Sequence, residues 1–164
     1  MSIALEPLTQ ERFSPFGDVI SAGSGAGKDA NQGTAVRFDW TSKLESTRSH
    51  ANANLVVARC QPKRLPFEVK LLERHPCSTQ AFLPMVCARY LVVVSLALED
   101  GSPNLESLRA FEGKPGQGIN YRRDVWHHPM IALDEPADLA MLVWEDNTSE
   151  DLVEYWLPTP IIVT

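Results

Sequence analysis

Cysteine is scarce in this chain. There are three in 164 residues, Cys60, Cys77 and Cys87, an odd number at wide spacing. That excludes a CxxC metal clip and a disulfide framework, and it predicts three reduced thiols in a cytoplasmic protein. Long apolar runs are also missing. The longest, "YLVVVSLAL" (90–98), has nine residues, which suits a buried strand and is too short for a membrane span. The opening "MSIALEPLTQERF" has neither a basic n-region nor an apolar core, so no signal peptide is expected. Positive charge is in deficit. The formal net charge of -6 argues against nucleic acid and anionic membrane as partners. A phosphate loop is lacking too. "GSGAG" sits in a glycine-rich stretch (21–33) that precedes no helix and has no GK[ST] ending.

What remains is a chain of short apolar runs divided by twelve prolines and nine glycines. The runs are 34–40, 54–60, 66–73, 79–85, 90–98, 118–123, 126–133, 138–145 and 152–157. Many are rich in β-branched and aromatic residues and are bounded by Pro, Gly, Asn or Asp. The pattern predicts an all-β barrel or sandwich, with residues 1–164 forming a single domain. Two short helices are expected. One starts at Thr9 as N-cap and stops near Pro15 and Gly17; the other runs from Ser102 towards Gly113, with Leu105, Leu108 and Phe111 on one side. "YLVVVSLAL" and the aromatic tail "LVEYWLPTPIIV" are candidates for either core or subunit interface.

Histidine is rare as well, and three of the four lie in two stretches that carry the candidate chemistry. In "ERHPCSTQAF" (73–82), Glu73 and His75 are two apart in an extended segment and share a face. Pro76 and the Cys-Ser-Thr that follows break the strand, so Gln80 can return to the same interior. In "NYRRDVWHHP" (120–129), an extended chain puts Tyr121, Arg123 and His127 on one face. Arg suits a carboxylate through two parallel donors, and His suits proton movement near neutral pH. Each stretch also has a plainer explanation. Glu73–Arg74 reads as a surface ion pair, "WHHP" as an aromatic strand end, and "YRR" as a solvated face. His50, in a polar stretch, reads as solvated. Spacing alone identifies no substrate.

The segments "LEPLTQERFSPFGDVI", "ARCQP", "LPFEVKLLERHP", "ERHPCSTQAFLPM" and "SLRAFEGKPGQGINYRRDVWHHPMIAL" together resemble the ureidoglycolate lyase family, over nearly the whole chain. The resemblance implies a cupin-like β-barrel or double-sheet jelly-roll, usually a homodimer, in cytoplasmic purine and allantoin breakdown. The implied reaction converts (S)-ureidoglycolate to glyoxylate and urea. It further implies a divalent metal, nickel being the one usually named, in a frame matched here by Glu73, His75, Gln80 and His127. Glu and Gln replace two of the usual ligands, which disfavours a tightly held ion and leaves open a site with none. On this reading His127 or His75 is the base, and Glu73 orients an imidazole or acts as the acid. Gln80 and Tyr121 bond the ureido group, and Arg123 holds the carboxylate, with Arg59 or Lys70 as substitutes. Two other readings stand beside it: an amidohydrolase releasing ammonia, and a non-catalytic cupin that binds a small acid.

Overall fold

The computed structural model describes residues 1–164. Two sheets make up the fold. In the first, the strands run in the order Ser2–Ile3, Val153–Val163, Phe67–Arg74, Trp126–His127, Arg89–Ser95, Arg109–Gly113 and Leu5–Pro7. Ile131–Leu133 joins it beside strand 89–95, and Pro62–Lys63 pairs with Ile131–Leu133. The second sheet has the order Gly17–Ile20, Gly118–Tyr121, Gln80–Val86, Ala137–Glu145 and Asn52–Cys60. A separate ribbon pairs Lys28–Ala30 with Ala35–Arg37. The architecture is the expected all-β double sheet. No strand pairing joins the two main sheets, so the barrel is not closed by hydrogen bonds. No helix is long and apolar enough to cross a membrane.

Strand 89–95 shows how an unbroken apolar run becomes the centre of such a fold. Tyr90, Val92 and Val94 enter one core cluster, with Phe13, Phe16, Ile119, Tyr121 and Leu139. The alternate residues Leu91 and Val93 enter another, with Val69, Leu72, Trp126 and Ile161. Period-2 alternation therefore feeds two cores from one strand. Residues 90–95 of "YLVVVSLAL" are core, and the C-terminal strand gives Leu157, Ile161 and Val163 to the second core while Trp156 is exposed; strand 153–163 is paired on one side to strand 67–74 and on the other to Ser2–Ile3.

Thr9 caps the helix Gln10–Phe13 as expected, its hydroxyl accepting from the Arg12 N–H. The second expected helix is corrected. Residues 102–113 form a single 3-10 turn, Leu105–Ser107, followed by strand 109–113. The cap is Asn104, whose side chain accepts from the Glu106 N–H. Leu105, Leu108 and Phe111 fit a helical stripe, but Ala110 and Phe111 are both fully buried, one in each core. Pairing with strands 89–95 and 5–7 satisfies the backbone of this segment and overrides its local preference.

Candidate functional site

Cross-strand pairing explains how distant residues meet. His127 stands opposite Val94 on one side and Glu73 on the other, so the three side chains share a face. Val94 belongs to the core that Tyr121 and Ile119 of the second sheet also enter, so Glu73 and His127 point between the sheets. Tyr121 stands opposite Gln80 in the second sheet. The turn after strand 118–121 then docks on the strand that carries Glu73. Asp124 takes a left-handed conformation (φ 69°), its N–H donates to the His75 carbonyl (2.9 Å), and Arg74 Nη1 donates to its carboxylate (2.5 Å). Asp tolerates that conformation better than most residues.

The rings then stack. Tyr121 lies on His127 with centroids 4.1 Å apart and planes 13° from parallel, and His75 lies 5.4 Å from His127. Each imidazole has its Nδ1 engaged by a backbone carbonyl, His75 by Asp151 (2.6 Å) and His127 by Val125 (3.0 Å). A carbonyl can only accept, so Nδ1 carries the proton and Nε2 keeps its lone pair in the neutral ring. His127 Nε2 lies 3.6 Å from Glu73 Oε1, too far for a hydrogen bond. The Nε2 atoms of His75 and His127, Gln80 Oε1 and Tyr121 Oη are all buried without a hydrogen-bond partner. Buried polar atoms are nearly always paired, so four orphans at one place mark a site shaped for something else.

The electrostatics agree. Burial, with His127 alongside, depresses His75 below the ordinary imidazole value, against the opposing pull of Asp151 and Glu73. Burial works to raise the Glu73 carboxyl, but His127, His75 and His128 around it outweigh burial and the net shift is downward. Burial holds Tyr121 well above its usual value, so it stays a donor. The site thus presents an ionised carboxylate, a neutral imidazole at His75 and a protonated phenol. A cavity of about 330 Å³ adjoins it, lined by His75, Gln80, Ser78, Thr79, Arg48 and Asp151 among others.

The donors also fit a divalent ion. One ligand atom from each of Glu73, His75 and His127 falls within 4.8 Å of the others. Both imidazoles present a free Nε2 while Nδ1–H is fixed from behind, the arrangement that metal-binding histidines ordinarily show. Gln80, opposite Tyr121, reaches Met141 Sδ through its Nε2 at 3.7 Å.

Glu73, His75, Gln80, Tyr121 and His127 are therefore brought together. The three expected cations are not. Arg123 is followed directly by the left-handed Asp124; the turn sends it outward to Glu45 (3.4 Å), and it does not line the cavity. Arg59 sits on the outer face of strand 52–60, its side chain 72% exposed and bidentate to Asp138. Lys70 is exposed beside Glu68. The cation that does line the cavity is Arg48, which sequence reasoning passed over in "TRSHANAN". Its side chain is nearly buried and already held by Asp146 (2.6 Å) and Asp151 (3.4 Å). His50 is exposed, as expected.

Comparison with known proteins gives a consistent result. The family model described as ureidoglycolate lyase matches residues 1–164. The "Ureidoglycolate lyase" of Burkholderia mallei (strain NCTC 10229) is 39% identical over 163 residues, covering 99% of this chain and 94% of the relative. That of Chelativorans sp. (strain BNC1) is 39% identical over 158 residues, covering 96% and 93%. Among solved structures, a dTDP sugar isomerase from Desulfovibrio desulfuricans G20 is 14% identical with a TM-score of 0.46, covering 85% of this chain and 86% of that one.

Proposed function

The chain belongs to the ureidoglycolate lyase family, and on that premise we propose that its inter-sheet site cleaves (S)-ureidoglycolate to glyoxylate and urea by acid–base elimination. The observation that carries this reading is the convergence of four unpartnered buried polar atoms beside an ionised Glu73. The substrate carbon bears a hydroxyl, a carboxylate and a ureido nitrogen. The hydroxyl O–H breaks, its electrons form the glyoxylate carbonyl, the C–N bond breaks, and the nitrogen keeps that pair and takes a proton. No water is consumed. His127 Nε2 receives the hydroxyl proton; Glu73, 3.6 Å away, faces the imidazolium that results. The same proton can then pass to the departing nitrogen. Tyr121 Oη–H and Gln80 Oε1 supply one donor and one acceptor for the ureido group. A divalent ion held by Glu73 and His75 would add a positive charge against which the substrate carboxylate binds, a role that Arg123 does not reach, and would leave the single free lone pair of His127 Nε2 for the proton.

The test is to incubate the purified protein with racemic ureidoglycolate, with and without prior chelation, and to quantify glyoxylate, urea and ammonia. Glyoxylate with equimolar urea, stopping at half the racemate, is the expected result. Turnover is expected to fall on chelation and return with added divalent ion. Undiminished turnover after chelation would leave the proton-handling groups working without an ion. Ammonia in place of urea would replace the lyase by a hydrolase. No turnover would leave a protein that binds a small acid.

A homodimer and a cytoplasmic setting belong to the same proposal. Cys60, Cys77 and Cys87 are all free thiols, as a reducing compartment keeps them. Strand 52–60 is an edge strand of nine residues. Val57 aligns with Ala140 and Leu83 across the sheet, and Leu55 with Leu142 and Ala81, all on the face away from the site. Leu55 is 71% and Val57 61% exposed. A long apolar edge of this kind needs covering, and a second copy of the chain supplies a matching one. Light scattering is expected to give twice the 18.2 kDa of one chain, and Leu55→Glu to return it to the single-chain mass. A parent protein at 18.2 kDa would sink the dimer.

A further inference from the structure

Asp151 lies far in sequence from the site, in the loop between strands 137–145 and 153–163, and is 6% exposed. A buried carboxylate is costly unless its partners are good. Its Oδ1 accepts the Cys77 N–H at 2.6 Å, and its Oδ2 accepts the Ser78 hydroxyl and, at 3.4 Å, the Arg48 guanidinium. Cys77 and Ser78 form the turn that separates His75 from Gln80. Meanwhile the backbone carbonyl of Asp151 takes the Nδ1–H of His75 at 2.6 Å.

We propose that Asp151 is a positioning residue: its carboxylate anchors the 76–78 turn, and its carbonyl holds His75 in the tautomer that directs a lone pair into the site. The proposal rests on the reading that His75 Nε2 faces the chemistry. The carboxylate is the anchor and the carbonyl does the orienting. Free imidazole favours the proton on Nε2, which here would aim an N–H into the cavity in place of a lone pair. A fixed acceptor behind Nδ1 reverses that preference. The acceptor stays fixed only while the side chain of the same residue is tied to the turn that His75 enters. The other side of that turn is held independently, by Thr47 N–H on the Cys77 carbonyl and Thr79 N–H on the Glu45 carbonyl. Loss of Asp151 should therefore loosen His75 more than it loosens the sheet.

The experiment uses the full chain, metal-free and labelled with ¹⁵N-histidine. Imidazole tautomers are read from long-range ¹H–¹⁵N correlations above the imidazole titration range, and kcat and KM for ureidoglycolate are measured on the metal-replete protein. The parent His75 is expected as the Nδ1–H tautomer. In Asp151→Ala it should move towards Nε2–H, with kcat falling about 10–100-fold, the usual cost of losing an outer-shell partner, and KM changing far less. If Asp151→Ala does not fold, Asp151→Asn decides: it keeps an acceptor for the Cys77 N–H but loses the charge facing Arg48, and the same shift in smaller degree is expected. A lowered melting temperature with the parent's His75 signals and the parent's kcat would make Asp151 merely structural and overturn the proposal. So would a parent His75 already protonated on Nε2. The tautomer measurement needs no turnover, so an inactive parent with a shifted variant would remove the proposed reaction and leave the positioning role standing.

Discussion

Replacing His127 by Phe is expected to cut turnover of ureidoglycolate by about 10²–10⁴-fold, the usual contribution of a placed acid–base group. In activation free energy that is about 3–5 kcal/mol. Phe is the informative substitution. The His127 ring is buried between Tyr121 and His75, so Ala would leave a cavity and confuse loss of chemistry with loss of packing. Phe keeps a flat ring against Tyr121 and removes both nitrogens. The folded protein should therefore survive while Nε2, the orphan facing Glu73, is gone. Melting temperature and circular dichroism establish the fold, and steady-state kinetics the loss. Arg59→Ala is the matching control. That side chain lies on the outer face, paired only with Asp138, and parent turnover is expected. A His127→Phe enzyme running within a few-fold of the parent would take His127 out of the reaction.

What the sequence made legible, and what it did not, follows from how far each feature reaches. Strand positions are a local property. Runs such as 54–60, 66–73 and 138–145 sit within a residue or two of the observed strands because side-chain type and bounding turns declare them. The pairing of Glu73 with His75 was also legible, since parity along an extended chain is local; Tyr121 and His127 meet although Asp124 breaks the chain between them, because strands 118–121 and 126–127 belong to the two facing sheets. Arg123 failed for the same reason that parity works: the rule holds only while the chain stays extended, and Asp124 turns left-handed immediately after it. The 102–113 segment failed because its helical spacing competed with two neighbouring strands that the local sequence does not show. Asp151 and Arg48 were invisible altogether. They reach the site across 74 and 27 residues from Cys77 and His75, and nothing near "SEDLV" or "TRSH" distinguishes them from surface charges until the fold buries them.

Gly17→Ala should have the largest effect on stability, and its cause lies close to the site. The φ of Gly17 is not left-handed, so space alone demands glycine here. An added Cβ would fall 2.0 Å from the Asn120 carbonyl oxygen and 3.1 Å from the Phe13 ring. The oxygen is backbone and cannot rotate aside. Asn120 is further fixed by its side chain, which donates to Ser42 Oγ at 2.7 Å and to the Lys43 carbonyl at 2.9 Å. Strand 17–20 must then move off strand 118–121, with which it pairs from Gly17 opposite Tyr121 to Ile20 opposite Gly118. Overpacking of this kind costs about 3 kcal/mol, which for a chain of this size lowers the melting temperature by about 6–12 °C. Because Tyr121 is the next residue and its ring stacks on His127, turnover should fall as well, even when assayed far below the melting point. The two effects can be separated. A lowered melting temperature with parent kcat would mean that strand 17–20 yields alone and Tyr121 keeps its place. An unchanged melting temperature would mean that the close approach of Gly17 to Asn120 does not exist in solution. If both fall together, the glycine that lets the edge strand close on strand 118–121 is also what holds Tyr121 against His127.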